Sequence, residues 1–277
     1  MGVFPPKSNA LADLFGRPKA LIGVIHSHAI PGAPQHDGRP FEQVVEFAIA
    51  EGRRYRDGGF DALIVENAWD LPFAKPEDLR FETSAGMAVL TDHVRREVGL
   101  PVGVNVLANG VECALASAIV GGAGFVRVNQ WANAYVANEG FVEGRAAAAT
   151  RYRSQLQADH VKVFADVHVK HGSHAIVADR TVAEQASDAE WFDADVLIAT
   201  GQRTGGATDI EEIERIRAGT QLPVIVGSGV NEDNAEATFR AADGAIVASW
   251  AKQDGVWWNP VDPKRVERLT QIAEGLW

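Results

Sequence analysis

Short apolar runs alternate with longer amphipathic stretches along almost the whole chain. Eight of the runs have the length of β-strands: residues 21–26, 62–67, 101–106, 125–129, 163–170, 196–201, 224–229 and 245–249. Helix-like segments lie between them, and several have residues that favour a helix start, among them Thr83, Thr181 and Asn231. Strands that alternate with helices predict a parallel sheet, and a count of eight predicts a closed (β/α)8 barrel.

The alternative architecture is an open, doubly wound sheet. It is weakened because no G-x-G-x-x-G sequence follows the first predicted strand. A chain of 277 residues fits a single barrel, which commonly needs about 250 residues. We therefore expect one domain over residues 1–277, with residues 1–19 as an N-terminal extension.

Charge and composition narrow the classes of partner. Asp and Glu number 37 against 26 Lys and Arg, and the formal charge of −11 argues against nucleic acid or an anionic membrane as the main partner. Cys113 is the only cysteine, so no intrachain disulfide and no cysteine-based zinc site is expected. Neither a signal peptide nor an apolar run long enough to span a bilayer is evident. A cytoplasmic protein, and a homo-oligomer, are the expectations.

Polar residues cluster at the carboxyl ends of the predicted strands. Alternate side chains of a barrel strand point into the lumen, and active sites of such barrels form at the carboxyl ends. We predict that Glu66, Asp166, His168 and Lys170 are catalytic, with Asp166, His168 and Lys170 on one face of the strand 163–170. Predicted substrate-binding residues are His26, Asn105, Arg127, Asn129, Thr200 and Arg203. Arg127 and Glu66 could alternatively form a structural ion pair.

The last two strands end in small residues that suit a phosphate site. Gly227, Ser228 and Gly229 end the seventh strand, while Ala248 and Ser249 end the eighth and precede a short helix-like turn. Many barrels bind phosphate with these two loops, because glycines let backbone amides approach the anion. Lys252 could add positive charge or be solvated. The loop 200–209 suits a cover over an anionic ligand, and Trp250, Trp257 and Trp258 are expected in packing or oligomer contacts.

Several of these segments together resemble the BtpA/SgcQ family, over about residues 20–270. The resemblance is carried by GVIHSHAIPGAP, GGFDALIVENAWDLPF, LPVGVNVLAN, GFVRVNQW, VFADVHVKH, ATGQRTGG, VIVGSGV, ADGAIVAS and NPVDPKRV. It implies a barrel of the ribulose-phosphate-binding group, in agreement with the phosphate prediction. The family is linked by name to photosystem I biogenesis. Three loops depart from its usual pattern, at His28, at residues 107–110 and at residues 137–140, which implies a shared core chemistry and leaves the substrate open.

Three hypotheses of function follow. The first is an enzyme acting on a small phosphorylated sugar or a related ligand, as an isomerase, a lyase or a glycosidic-bond-cleaving enzyme. The second is a metal-dependent hydrolase that uses His26 and His28, against which the eighth strand offers no Asp. The third is a non-catalytic assembly factor. No cofactor is expected on the first hypothesis, and a divalent metal ion stays open.

Overall fold

The computed structural model describes residues 6–201 and 210–277, and its main feature is a closed barrel of eight parallel strands. The strands in chain order are β1 (Ala20–His26), β2 (Ala62–Glu66), β3 (Val102–Asn105), β4 (Phe125–Val128), β5 (Ala134–Ala137), β6 (Gly140–Glu143), β7 (Lys162–Val167), β8 (Val196–Ala199), β9 (Val224–Val226) and β10 (Gly244–Val247). The barrel order is β1-β10-β9-β8-β7-β4-β3-β2, whereas β5 and β6 form a separate antiparallel hairpin. The predicted (β/α)8 fold is confirmed.

Helices surround the barrel and follow its strands. They are α1 (Ala10–Phe15), α2 (Phe41–Asp57), α3 (Phe81–Val98), α4 (Val111–Gly121), α5 (Ala146–Gln155), α6 (Val182–Trp191), α7 (Ile210–Arg217), α8 (Glu232–Ala241) and α9 (Pro263–Glu274). Short 3-10 helices occupy Pro76–Asp78, Ala175–Val177, Ser249–Ala251 and Gln253–Gly255. Two apolar clusters hold the layers together, one inside the barrel and one between strands and helices.

Two of the three predicted helix-start residues are confirmed. Thr181 and Asn231 each form a capping box at the start of α6 and α8, in which the cap side chain accepts hydrogen bonds from backbone amides. Thr83 was wrong as a start, because it lies inside α3, which begins at Phe81. Helix α5 begins only at Ala146, because residues up to Glu143 pair in the β5–β6 hairpin.

The amino-terminal end of the barrel is closed by side chains. Phe125 and Phe164 stack inside it with ring centroids 4.5 Å apart, and Phe15 of α1 meets Phe125 edge-on at 5.8 Å. Gly103 leaves room for this layer, since a Cβ there would lie 2.2 Å from the Phe125 ring. Leu11 of α1 is fully buried against the same cluster. The predicted N-terminal extension therefore includes a helix packed on the barrel, and the single-domain organisation remains our proposal.

Candidate functional site

The interior positions of the barrel change from apolar to polar at its carboxyl end. The side chains of β1 that point into the barrel are Ile22, Val24 and then His26, and those of β2 are Ile64 and then Glu66. A cavity of about 660 Å³ opens above this layer. Six of the predicted catalytic and substrate-binding residues line this cavity, five at strand ends and Lys170 beyond β7. They are His26, Glu66, Asn105, Arg127, Asn129 and Lys170.

Asp166 and Thr200 support residues of the cavity without lining it. Both Asp166 oxygens accept hydrogen bonds from Arg127, at 3.1 Å from Nε and 3.1 Å from Nη2, and Asn129 Nδ2 donates to Oδ2 at 3.2 Å. Thr200 Oγ1 accepts the Lys170 amide at 3.0 Å. The ion-pair alternative of Arg127 with Glu66 was wrong, because Arg127 pairs with Asp166. With both oxygens held by donors, the Asp166 carboxylate is poorly suited to the predicted catalytic role, and its geometry favours a positioning role.

Glu66 is the carboxylate at the floor of the cavity. Asn105 Nδ2 donates to its Oε2 at 2.8 Å, and His26 Nε2 lies 3.6 Å from its Oε1. His26 Nδ1 lies 2.9 Å from the Trp257 carbonyl oxygen, and a carbonyl only accepts, so Nδ1 carries the proton. Burial, and then the charge of Lys252, lower the pKa of His26. The imidazole is therefore neutral at pH 7, with the Nε2 lone pair turned towards Glu66.

Two buried amide oxygens at the cavity have no hydrogen-bond partner among the described residues. They are Oδ1 of Asn105 and Oδ1 of Asn129, whose amide nitrogens are engaged by Glu66 and Asp166 respectively. A buried acceptor without a donor costs about 1–3 kcal/mol. Both side chains line the cavity, so the two residues are in position to contact a bound ligand.

Lys170 belongs to the phosphate-loop side of the cavity. Its Nζ donates to Ser228 Oγ at 3.1 Å. Burial, followed by the charge of Arg127, lowers the pKa of Lys170 to about 8, against the opposing effect of Asp166 and Glu66. The ammonium is therefore mostly retained at pH 7 and lost as the pH rises through 8.

His168 is not part of the cavity lining, which corrects the expectation that it lies on one strand face with Asp166 and Lys170. The strand β7 ends at Val167, and His168 adopts a left-handed backbone conformation with φ 56°, so the alternation stops there. Its ring packs against His174 at 4.0 Å between centroids. Burial first, and then His174, lowers the pKa of His168 to about 4, which does not suit the predicted catalytic role near neutral pH.

The five predicted phosphate-loop residues all line the cavity: Gly227, Ser228, Gly229, Ala248 and Ser249. A Cβ on Gly227 would lie 2.4 Å from Ile198 Cγ2 and 3.3 Å from Arg127 Nη2, so only glycine lets this loop approach the guanidinium. Gly229 has φ 73°, a conformation that glycine adopts without strain. The predicted short helix after β10 is the 3-10 helix Ser249–Ala251.

Lys252 does not reach the cavity, and both predictions for it were wrong. It is 1% exposed and forms an ion pair with the fully buried Glu51, Nζ to Oε2 at 2.7 Å. Arg203 and most of the loop 200–209 lie outside the described residues, so the predicted role of Arg203 stays a prediction.

The sequence-based predictions missed the part of the cavity wall that comes from loops. The β5–β6 hairpin contributes Tyr135 and Ala137, and the loop after β2 contributes Phe73. The stretch AYVANEGFVE does carry a hairpin signal, two short strand-like runs around Asn-Glu-Gly. Trp250 and Trp257 were expected in packing or oligomer contacts but line the cavity, whereas Trp258 is 56% exposed.

The geometry does not support the His26/His28 metal hypothesis. The His28 ring packs on Phe47, with centroids 4.2 Å apart, and does not line the cavity. In residues 6–201 and 210–277, no group of three or more His, Cys, Asp or Glu side chains is arranged to hold a metal ion. Within the part of the chain that the structure describes, His26 therefore lacks the further donors that a catalytic metal site needs.

The fold and the site define a (β/α)8 barrel with a deep, polar-floored cavity at the carboxyl ends of its strands. The chain belongs to the BtpA family, whose model matches residues 17–275. It is 37% identical over 268 residues to the photosystem I biogenesis protein BtpA of Synechocystis, covering 96% of this chain and 92% of that protein. An uncharacterized protein of Methanocaldococcus jannaschii is 37% identical over 258 residues, which cover 93% of this chain and 96% of the relative.

Solved structures with the same fold are distant in sequence. Tryptophan synthase of Mycobacterium tuberculosis superimposes with a TM-score of 0.61 at 16% identity, over 95% of this chain and 96% of that one. Thiamine phosphate pyrophosphorylase of Pyrococcus furiosus gives 0.55 at 19% identity, over 93% and 96%. At such identities the likeness shows the fold alone. Among the helices of the described residues, none is long and apolar enough to cross a membrane.

Proposed function

We propose that this protein is an enzyme acting on a small phosphorylated sugar or a related ligand, with the phosphate held by the loops after β9 and β10. The observation that carries the proposal is the contact of Lys170 Nζ with Ser228 Oγ at the glycine-rich loop, where Arg127 also approaches Gly227. Two cations beside a loop of small residues suit a phosphate group. Thiamine phosphate pyrophosphorylase, which has the same fold, is also named for a phosphorylated compound.

The polar floor supplies the remaining interactions. Asn105 and Asn129 line the cavity and contact the hydroxyl groups of the ligand. Glu66 and the neutral His26 are adjacent proton acceptors, which suits proton transfer to or from the bound sugar. Isomerisation, lyase chemistry and glycosidic-bond cleavage all need such a transfer. Asp166 positions Arg127 and Asn129, and Lys170 binds the phosphate or stabilises an oxyanion.

A second candidate is an assembly role without catalysis, which the name of the Synechocystis relative favours. Affinity capture from a photosynthetic host would test it, with recovery of photosystem I subunits as the supporting result. Location in the cytoplasm and homo-oligomerisation remain proposals, and the exposed Trp258 supports the second of them.

Ribose 5-phosphate is expected to raise the melting temperature by about 5 °C at a hundredfold excess over Kd, because a ligand that binds only the folded state stabilises it. Gly229→Asp should abolish the shift by placing negative charge at the phosphate loop. Gly229→Asn is the matched control, since Asn has nearly the same size and tolerates the left-handed conformation at φ 73°. A shift retained in Gly229→Asp would place the phosphate elsewhere.

A further inference from the structure

The order of strands fixes which loops face each other across the cavity. In the ring β1-β10-β9-β8-β7-β4-β3-β2, strands β9 and β10 stand diametrically opposite β3 and β4. Because each loop follows the carboxyl end of its strand, the phosphate loops face the loops after β3 and β4, with the loop after β2 beside them. A ligand anchored by phosphate at β9 and β10 therefore extends towards that opposite wall.

The opposite wall is mainly apolar. The loop after β2 contributes Leu71, Pro72 and Phe73, the segment after β3 contributes Leu107 and Ala108, and the hairpin contributes Tyr135 and Ala137. The polar exceptions, Asn138 and Glu139, lie at the hairpin tip, and the carboxylate of Glu139 disfavours a second phosphate there. The wall therefore suits an uncharged, apolar end of the ligand.

Tyr135 is fixed in this wall by its surroundings. It is 5% exposed, and its ring stacks on His174 with centroids 5.4 Å apart and an interplanar angle of 14°. Gly172 packs so closely that a Cβ there would lie 2.1 Å from the Tyr135 ring. The hairpin is further tied to the loop after β7 by a bridge between Val136 and Ser173. Tyr135 therefore holds this part of the wall in place before a ligand binds, which lowers the entropic cost of binding.

We infer that the ligand is a sugar phosphate that carries a planar heterocyclic group, of the nucleoside 5′-monophosphate class. The phosphate lies at the loops after β9 and β10, the sugar hydroxyls meet Asn105 and Asn129, and the planar group packs against Phe73 and the apolar wall around Tyr135. The cavity of about 660 Å³ is of the size that encloses a ligand of this kind. The inference rests on the proposed function and adds the substrate class to it.

Isothermal titration of the full chain tests the inference with ribose 5-phosphate, adenosine, adenosine 5′-monophosphate and uridine 5′-monophosphate. At least one of the monophosphates is expected to bind tenfold or more tightly than ribose 5-phosphate, the lower end of what one stacked base contributes. Phe73→Ala should lower that affinity about tenfold and leave ribose 5-phosphate binding within twofold. Phe81→Ala is the matched control, because Phe81 is 93% exposed and does not line the cavity.

The outcomes separate the two levels of the proposal. Equal affinity for ribose 5-phosphate and both monophosphates would overturn the inference while the proposed function stands, as would an unchanged monophosphate affinity in Phe73→Ala. If neither ribose 5-phosphate nor a monophosphate binds, or if adenosine binds as tightly as its monophosphate, the phosphate site itself is wrong and the proposed function falls with it.

Discussion

Replacing Lys252 with methionine is expected to lower the free energy of unfolding by about 3–5 kcal/mol, the cost of breaking a buried ion pair from one side. Lys252 and Glu51 are 1% and 0% exposed in their side chains and meet at 2.7 Å. The Val261 amide lies 3.1 Å from each Glu51 oxygen, and Arg54 also donates to Glu51. Without the ammonium, the buried Glu51 loses its closest buried cation. Urea denaturation followed by circular dichroism measures the loss.

Two further variants separate charge from packing in this experiment. Lys264→Met makes the same substitution at an exposed position of α9 and should stay within about 0.5 kcal/mol of the parent. Lys252→Met combined with Glu51→Gln should recover part of the loss, because the neutral Gln does not need the lost ammonium and still accepts the Val261 amide. A single Lys252→Met variant as stable as the parent would contradict the account of this pair.

Pyridoxal 5′-phosphate with borohydride is expected to label Lys170 before any other lysine. The neutral amine attacks the aldehyde and releases water, and borohydride reduces the resulting imine to a stable secondary amine. With its pKa lowered to about 8, Lys170 is about half neutral at pH 8. An ordinary lysine with a pKa near 10.4 is less than about 1% neutral there, so labelling of Lys170 should be roughly a hundredfold faster. Peptide mass spectrometry locates the label.

The direction of the pH dependence follows from the same lowered pKa. Below pH 8 the ammonium predominates, so the labelling rate should fall as the pH is lowered from 8 to 6 and level off above about 9. Ribose 5-phosphate should protect Lys170, and Lys170→Arg should remove the label from that peptide. Lys252, whose pKa is also lowered by burial, should remain unlabelled because it is buried in its pair with Glu51. Labelling spread evenly over the seven lysines would contradict the assigned environment of Lys170.

The fold and the polar floor could be predicted because both follow from local patterns. Each barrel strand is a short apolar run, and its inward phase places His26, Glu66 and Asn105 at the carboxyl end. The position of His168 could not be predicted in this way, because the turn after Val167 depends on a left-handed backbone conformation that the alternation of side chains does not reveal. The burial of Lys252 could not be predicted from local patterns either, since its partner Glu51 lies 201 residues away in the chain.

The most direct test of the central claim is a crystal structure of the full chain with ribose 5-phosphate. We predict phosphate density between the loops after β9 and β10, within hydrogen-bond distance of Lys170 Nζ and of loop amides, with sugar hydroxyls next to Asn105 and Asn129. Phosphate bound outside this cavity, or an empty cavity at a ligand concentration that raises the melting temperature, would contradict it.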